Sequence, residues 1–131
     1  MRHLTVFAIL SVCACGRALD PLACTEELRY GLNVTVVDSI TGAAPPAAQL
    51  LVHSDTYAED SGLQHAAALG PSGPVVLVIG AAGERPGRYD LTVSSPGYND
   101  WTKSGVEVTR ADACHVRPVA ITARLTHVPT R

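Results

Sequence analysis

Lysine is nearly missing from this 131-residue chain: Lys103 is the only one. Lysine and arginine together number 10 against 12 acids, for a formal net charge of −2. Without a basic excess there is no electrostatic footprint for nucleic acid. The acidity is also too mild to signal disorder or a cationic partner. Aromatics are scarce, with one Phe, one Trp and four Tyr, so Val, Leu, Ile and Ala must fill most of any core. No apolar run reaches the roughly 20 residues that a membrane-spanning helix needs. A phosphate cradle is lacking, because "GAAGERPG" has no Lys-Ser/Thr pair and precedes a strand pattern rather than a helix. No G-x-S-x-G nucleophile turn, internal repeat or long low-complexity segment occurs. The length bounds the chain to one domain.

What is there begins with a targeting segment. Met1-Arg2-His3 is a short positive start, and Leu4–Val12 ("LTVFAILSV") is an apolar run of nine, the size of a signal-peptide h-region. "VCAC" from Val12 to Cys15 resembles the bacterial lipobox, with Ala14 before the cleavage and Cys15 as the lipid acceptor. Val12 stands where Leu is usual, and Cys13 inside the box is a second departure; Cys13 itself suits the acceptor role less, since Val12 would precede it. The competing reading is ordinary secretory cleavage after Gly16 or Ala18. Both readings export the protein. The lipobox reading divides the chain into a lipoprotein-type signal peptide at 1–14, a tether and lead-in at 15–30 and a folded domain at 31–128.

Export changes the meaning of the four cysteines. Cys13 and Cys15 belong to the leader or the anchor, which leaves Cys24 and Cys114. In an oxidising compartment such a pair reads as a disulfide. A metal pair completed by His115 is the alternative, but zinc wants four ligands and no second Cys/His cluster lies nearby.

Alternation of apolar and polar residues predicts strands. Leu32, Val34 and Val36 alternate with Asn33 and Thr35. "DSITGAAP" is a turn, in which Asp38 and Ser39 can bond the local backbone and Gly42 can take positive φ. A second strand over "AAQLLVHSD" sends Leu50 and Val52 inward. Residues 55–74 are ambiguous: "GLQHAAAL" suits a short helix by composition, but β neighbours favour a loop and then a strand. "PVVLVIGAAG" reads as a central strand buried on both faces. "GERPG" and "SPGY" are turns flanking a strand with Tyr89, Leu91 and Val93 on one face. Val106 and Val108, then Val119, Ile121, Ala123 and Leu125, mark two more strands. About seven short strands with turns between them indicate an all-β sandwich.

The chemical groupings are weak. His53-Ser54-Asp55 contains the three residue types of a triad, but adjacent strand residues point to opposite faces. His53, Asp55, Glu59 and Asp60 match no cation-loop spacing and read as a solvated acidic loop. Trp101 with Tyr98 and Tyr57 can form a platform for a sugar or peptide, against the plainer role of Trp101 as a lid on the sandwich. Asn33-Val-Thr matches a glycosylation sequon but lies inside a strand. His65, His115 and His127 read as surface or strand-end residues.

Asp38, Thr41, Gly42 and Pro45, followed by Gly87, Tyr89, Leu91, Val93, Gly97 and Tyr98, resemble the pattern of the carboxypeptidase regulatory-like family. Cys24 and the Cys114-His115-Val116 run match small exported bacterial members. The resemblance covers roughly residues 31–126, with Pro45 one residue late and residues 55–74 departing. It implies a transthyretin-like, Ig-like sandwich without catalytic residues or cofactor of its own, serving as an accessory or assembly domain. Tyr89 and Tyr98 are expected to send their hydroxyls to backbone partners at the sandwich edge.

The expected protein is therefore a non-enzymatic, envelope-anchored β-sandwich lipoprotein. Its membrane contact is through Cys15, and an envelope protein or glycan is the expected partner. The alternatives are a secreted carbohydrate- or peptide-binding module using Tyr98 and Trp101, and an accessory subunit of an envelope hydrolase or transporter.

Overall fold

The alternating segments around Val34, Leu50, Leu91 and Ala123 are strands in the computed structural model. The structure describes residues 24–60, 62–68 and 72–129. Cys15 and the leader lie outside them. Eight strands form: β1 (Tyr30–Asp38), β2 (Gln49–His53), β3 (Ala58–Asp60), β4 (Leu63–Ala68), β5 (Val75–Gly83), β6 (Gly87–Ser94), β7 (Trp101–Val108) and β8 (Val119–Leu125). The expectation of about seven falls short because β3 is only three residues long, below what periodicity can register.

Two four-stranded sheets result, ordered β4-β5-β1-β8 and β3-β2-β6-β7. Together they make an all-β sandwich. The last strand returns to lie parallel to the first, with Val34 beside Ile121 and Val36 beside Ala123; the other pairings within each sheet are antiparallel. Inward residues of the two sheets interlock as expected for a sandwich. Leu32, Leu50, Ile79, Leu91 and Leu125 are fully buried, with valines between them. Removing each from water contributes about 1.5–3 kcal/mol. Tyr89, 3% exposed, is the one aromatic among the core residues, as the composition requires.

The ambiguous middle segment is extended. Residues 63–68 pair with β5, placing Gln64 beside Ile79 and Ala66 beside Leu77. The backbone groups on that side of β5 need partners, and this demand overrides the helical composition of "GLQHAAAL". The two-sided burial expected for β5 holds from Ile79 to Ala82, whereas Val75 at its start is exposed.

Backbone punctuation shapes both ends. Asp38 accepts from the amides of Ile40 (2.7 Å) and Thr41 (2.8 Å), and Gly42 takes φ +73°, closing the turn after β1. In β7, Gly105 (φ +69°) makes a bulge opposite Asp90, whose Oδ1 accepts its amide at 2.8 Å; such bulges re-aim nearby side chains. Ala82 and Glu84 also have positive φ, +52° and +50°, a conformation that non-glycine residues hold only when their surroundings over-determine it.

Candidate functional site

The start of β1 and its end define the two ends of the sandwich, and each carries a histidine–carboxylate pair. At the start, Cys24 is bonded to Cys114 with Cα atoms 5.5 Å apart, closing a separation of 90 residues. The disulfide is thus the one expected from the cysteine arithmetic. Asp112 Oδ1 accepts the amides of Cys114 and His115, both at 2.8 Å, and shapes the turn that presents the imidazole. Those two amides hold the Asp112 carboxyl below the usual carboxylate range.

His115 Nδ1 meets Glu84 Oε1 at 2.8 Å, and its Nε2 meets Thr25 Oγ1 at 2.8 Å. Glu84 also accepts the amides of Arg29 (2.7 Å) and Val116 (3.0 Å). Its own amide donates to the Arg29 carbonyl at 2.9 Å. One side chain thereby joins the lead-in, the β5–β6 turn and the disulfide segment, which explains how the strained φ of Glu84 is sustained. The His115 hydrogen bond, followed by the two backbone amides, outweighs desolvation and holds the Glu84 carboxyl below its ordinary value. Carboxylates that accept several N–H bonds behave this way.

At the other end the buried group is the acid. Asp38 Oδ2 accepts from the Tyr98 hydroxyl (2.8 Å) and lies 2.7 Å from His127 Nε2. The Tyr98 ring stacks on His127, with centroids 4.3 Å apart. The Thr41 amide first, then the Tyr98 hydroxyl and the Ile40 amide, hold the Asp38 carboxyl far below its normal range. Tyr98 responds in the opposite direction, its phenol raised by the same hydrogen bond.

A cleft of about 630 Å³ lies beside the disulfide end, between the β2–β3 turn (Ser54–Tyr57) and the β5–β6 turn (Glu84–Pro86). The Tyr57 hydroxyl donates to Glu59 Oε2 at 2.6 Å, and the same oxygen accepts the Ala82 amide at 2.8 Å. Burial and that carboxylate push the Tyr57 phenol up to about 12. Tyr57 packs edge-on against Tyr89, with centroids 6.1 Å apart, and the Arg85 guanidinium sits over its ring at 4.8 Å.

Several expectations need correction. His115 is buried at 7% exposure and doubly bonded, so it is not a surface residue, whereas His127 is exposed just past β8 as expected but is paired with Asp38. Tyr89 does send its hydroxyl to backbone, the Arg85 carbonyl at 3.0 Å, but Tyr98 sends its own to a carboxylate. Glu59 is not part of a solvated acidic loop: it lies on β3 and holds Tyr57 and Ala82. Among the described residues, no group of three His, Cys, Asp or Glu is placed to hold a metal ion. Of the platform residues, Tyr98 faces His127, and Trp101 begins β7, half-buried against the core. Tyr57 belongs to the cleft at the opposite end. His65 is exposed on β4.

Sequence reasoning missed Glu84 and Arg85 as organising residues. The available signal was the charged pair "ER" wedged between Gly83 and Pro86, a polar break directly after a buried strand. No protein-family model matches the chain, and no curated protein is significantly similar to it.

Proposed function

We propose that the chain is an exported, non-catalytic β-sandwich, held at the cell envelope by a lipid on Cys15, with a binding or structural role there. The observation that carries this reading is the Cys24–Cys114 disulfide, because such bonds persist in oxidising compartments outside the cytosol. It fastens the lead-in to the body only nine positions after Cys15. The acids at both ends serve the fold, since Asp38, Glu84 and Asp112 each accept two backbone amides.

Membership of the carboxypeptidase regulatory-like family is part of the proposal. Two separate pieces of the quoted pattern, the Asp38 turn and Tyr98, meet directly in a hydrogen bond, which supports reading them as one motif. The test is incorporation of labelled palmitate by the full-length protein in a bacterial host. Label should enter the native chain and be lost in Cys15→Ala. Equal labelling of the two would remove the anchor from the account.

One geometry favours a second reading. Thr25 Oγ1, His115 and Glu84 stand in the order hydroxyl, imidazole, carboxylate, with both links at 2.8 Å, which is the logic of an activated nucleophile. The fold-bracing role of these groups is preferred because Thr25 neighbours the disulfide and does not line the cleft. A fluorophosphonate probe separates the two: labelling lost in Thr25→Ala would establish the nucleophile, and an unlabelled native protein would retire it.

A further inference from the structure

The cleft at the disulfide end has two walls of opposite character. Arg85 and Arg88 stand on the β5–β6 side, and Asp55 with the hydroxyls of Ser54 and Thr56 stands on the β2–β3 side. Among the described residues neither arginine has a carboxylate within ion-pairing distance. That includes Glu107, directly opposite Arg88 in the β6–β7 register.

Both guanidinium groups are nonetheless held. Arg85 lies over the Tyr57 ring at 4.8 Å, and Tyr57 is itself fixed by Glu59. A guanidinium on an aromatic face keeps its N–H donors in plane and directed outward. Arg88 packs over Gly105, where an added Cβ would come within 2.7 Å of its Nη2. The bulge at Gly105 thus leaves the space that Arg88 fills. The other two acids lining the cleft are already used, Glu84 by His115 and two amides, and Asp90 by the Gly105 amide.

We propose that this cleft binds a short peptide through its free C-terminal carboxylate, taken by Arg85 and Arg88, with the peptide's ammonium toward Asp55. Fixed forks of N–H donors are the recognised match for a carboxylate. The facing acid decides between ligand classes. An acidic saccharide could use the arginines but would leave Asp55 without a cation, whereas a zwitterion satisfies both walls. This deepens the binding half of the proposed role and does not depend on the lipid anchor.

The test is calorimetric titration of the full chain with tri-alanine, its C-terminal amide, its N-acetyl form and tri-galacturonate, at low and high salt. Tri-alanine is expected to bind, with affinity falling as salt rises. Amidation, Arg85→Gln and Arg88→Gln should each weaken binding by roughly tenfold or more, and N-acetylation by less. The arginines are exposed, so both variants should melt with the native protein, and their loss of binding would then not be a folding defect. Equal affinity for the amide, binding untouched by either arginine variant, or no heat with tri-alanine would overturn the proposal. Tighter binding of tri-galacturonate would overturn the peptide assignment in favour of a saccharide. None of these outcomes bears on the anchor, which palmitate labelling reads separately.

Discussion

At the disulfide end of the sandwich the imidazole is the buried partner, with side-chain exposures of 9% for His115 and 24% for Glu84. At the far end the order reverses, with 5% for Asp38 and 54% for His127. Asp38 does the organising of its pair alone, whereas His115 shares that work with Glu84, which also holds the Arg29 and Val116 amides. His115 links Thr25 to Glu84, and Asp38 gathers two turn amides and Tyr98. The exposed His127 adds a bond to an acid that already has three donors. Two pairs alike in chemistry are therefore unlike in consequence, and the disulfide end has a covalent tie in addition.

The largest effect that can separate the ends is loss of the disulfide. Opening a closed loop of about this length is expected to cost about 4–5 kcal/mol on the chain-entropy model, read as the urea-midpoint difference between the oxidised protein and Cys24→Ser/Cys114→Ser. An unchanged midpoint would mean that the lead-in is not bound to the body.

Next come the two buried members. His115→Ala leaves Thr25 and Glu84 without their central partner, and Asp38→Ala leaves Tyr98 and two turn amides without an acceptor. Unsatisfied buried groups are costly, so both variants should lower the melting midpoint clearly. Asp38 also predicts an acid limit. Its carboxyl is depressed in the fold, so its stabilisation is complete above the unfolded value near pH 4 and is lost as pH falls toward the lower folded value. Melting followed from pH 6 to pH 2 should show this loss, and Asp38→Asn should flatten it.

Tyr57 gives a smaller effect of opposite sign. Its phenol is raised to about 12. The stabilisation it contributes is present below its unfolded value near 10 and is lost between pH 10 and 12. Tyr57→Phe should reduce that alkaline decline, to which the raised phenols of Tyr98 and Tyr89 add their own share. The smallest change is expected for His127→Ala, because its imidazole is more than half exposed to water and its partner Asp38 keeps three other donors. A drop as large as that of His115→Ala would break the distinction between the two ends.

The strands were legible where one face is buried over several residues. Leu32, Val34 and Val36, and likewise Tyr89, Leu91 and Val93, alternate in sequence and line the core in the fold. The Asp38 turn was legible because its bonds span only two and three residues. The histidine pairs were not. His115 and Glu84 are 31 positions apart, and His127 and Asp38 are 89 apart (127 − 38). Such meetings depend on strand order and register, and periodicity says nothing about which edge a turn faces. The Arg85–Tyr57 contact is of the same kind, brought about by two turns that the topology stacks at one end. "GLQHAAAL" was ambiguous for a different reason, since a segment pairing with β5 is chosen by its neighbour's unmet backbone groups rather than by its own composition.

Export and anchoring at Cys15 are proposed for a sandwich that one disulfide closes. Anchor and closure are tested most directly by the intact mass of the full-length product recovered from the membrane fraction of a bacterial host, with and without reductant. The account predicts a chain beginning at Cys15, carrying acyl groups and gaining two hydrogens on reduction. A chain without acyl groups, beginning at Arg17 or Leu19 in the soluble fraction, would contradict the anchor. A mass unchanged by reductant would contradict the closure.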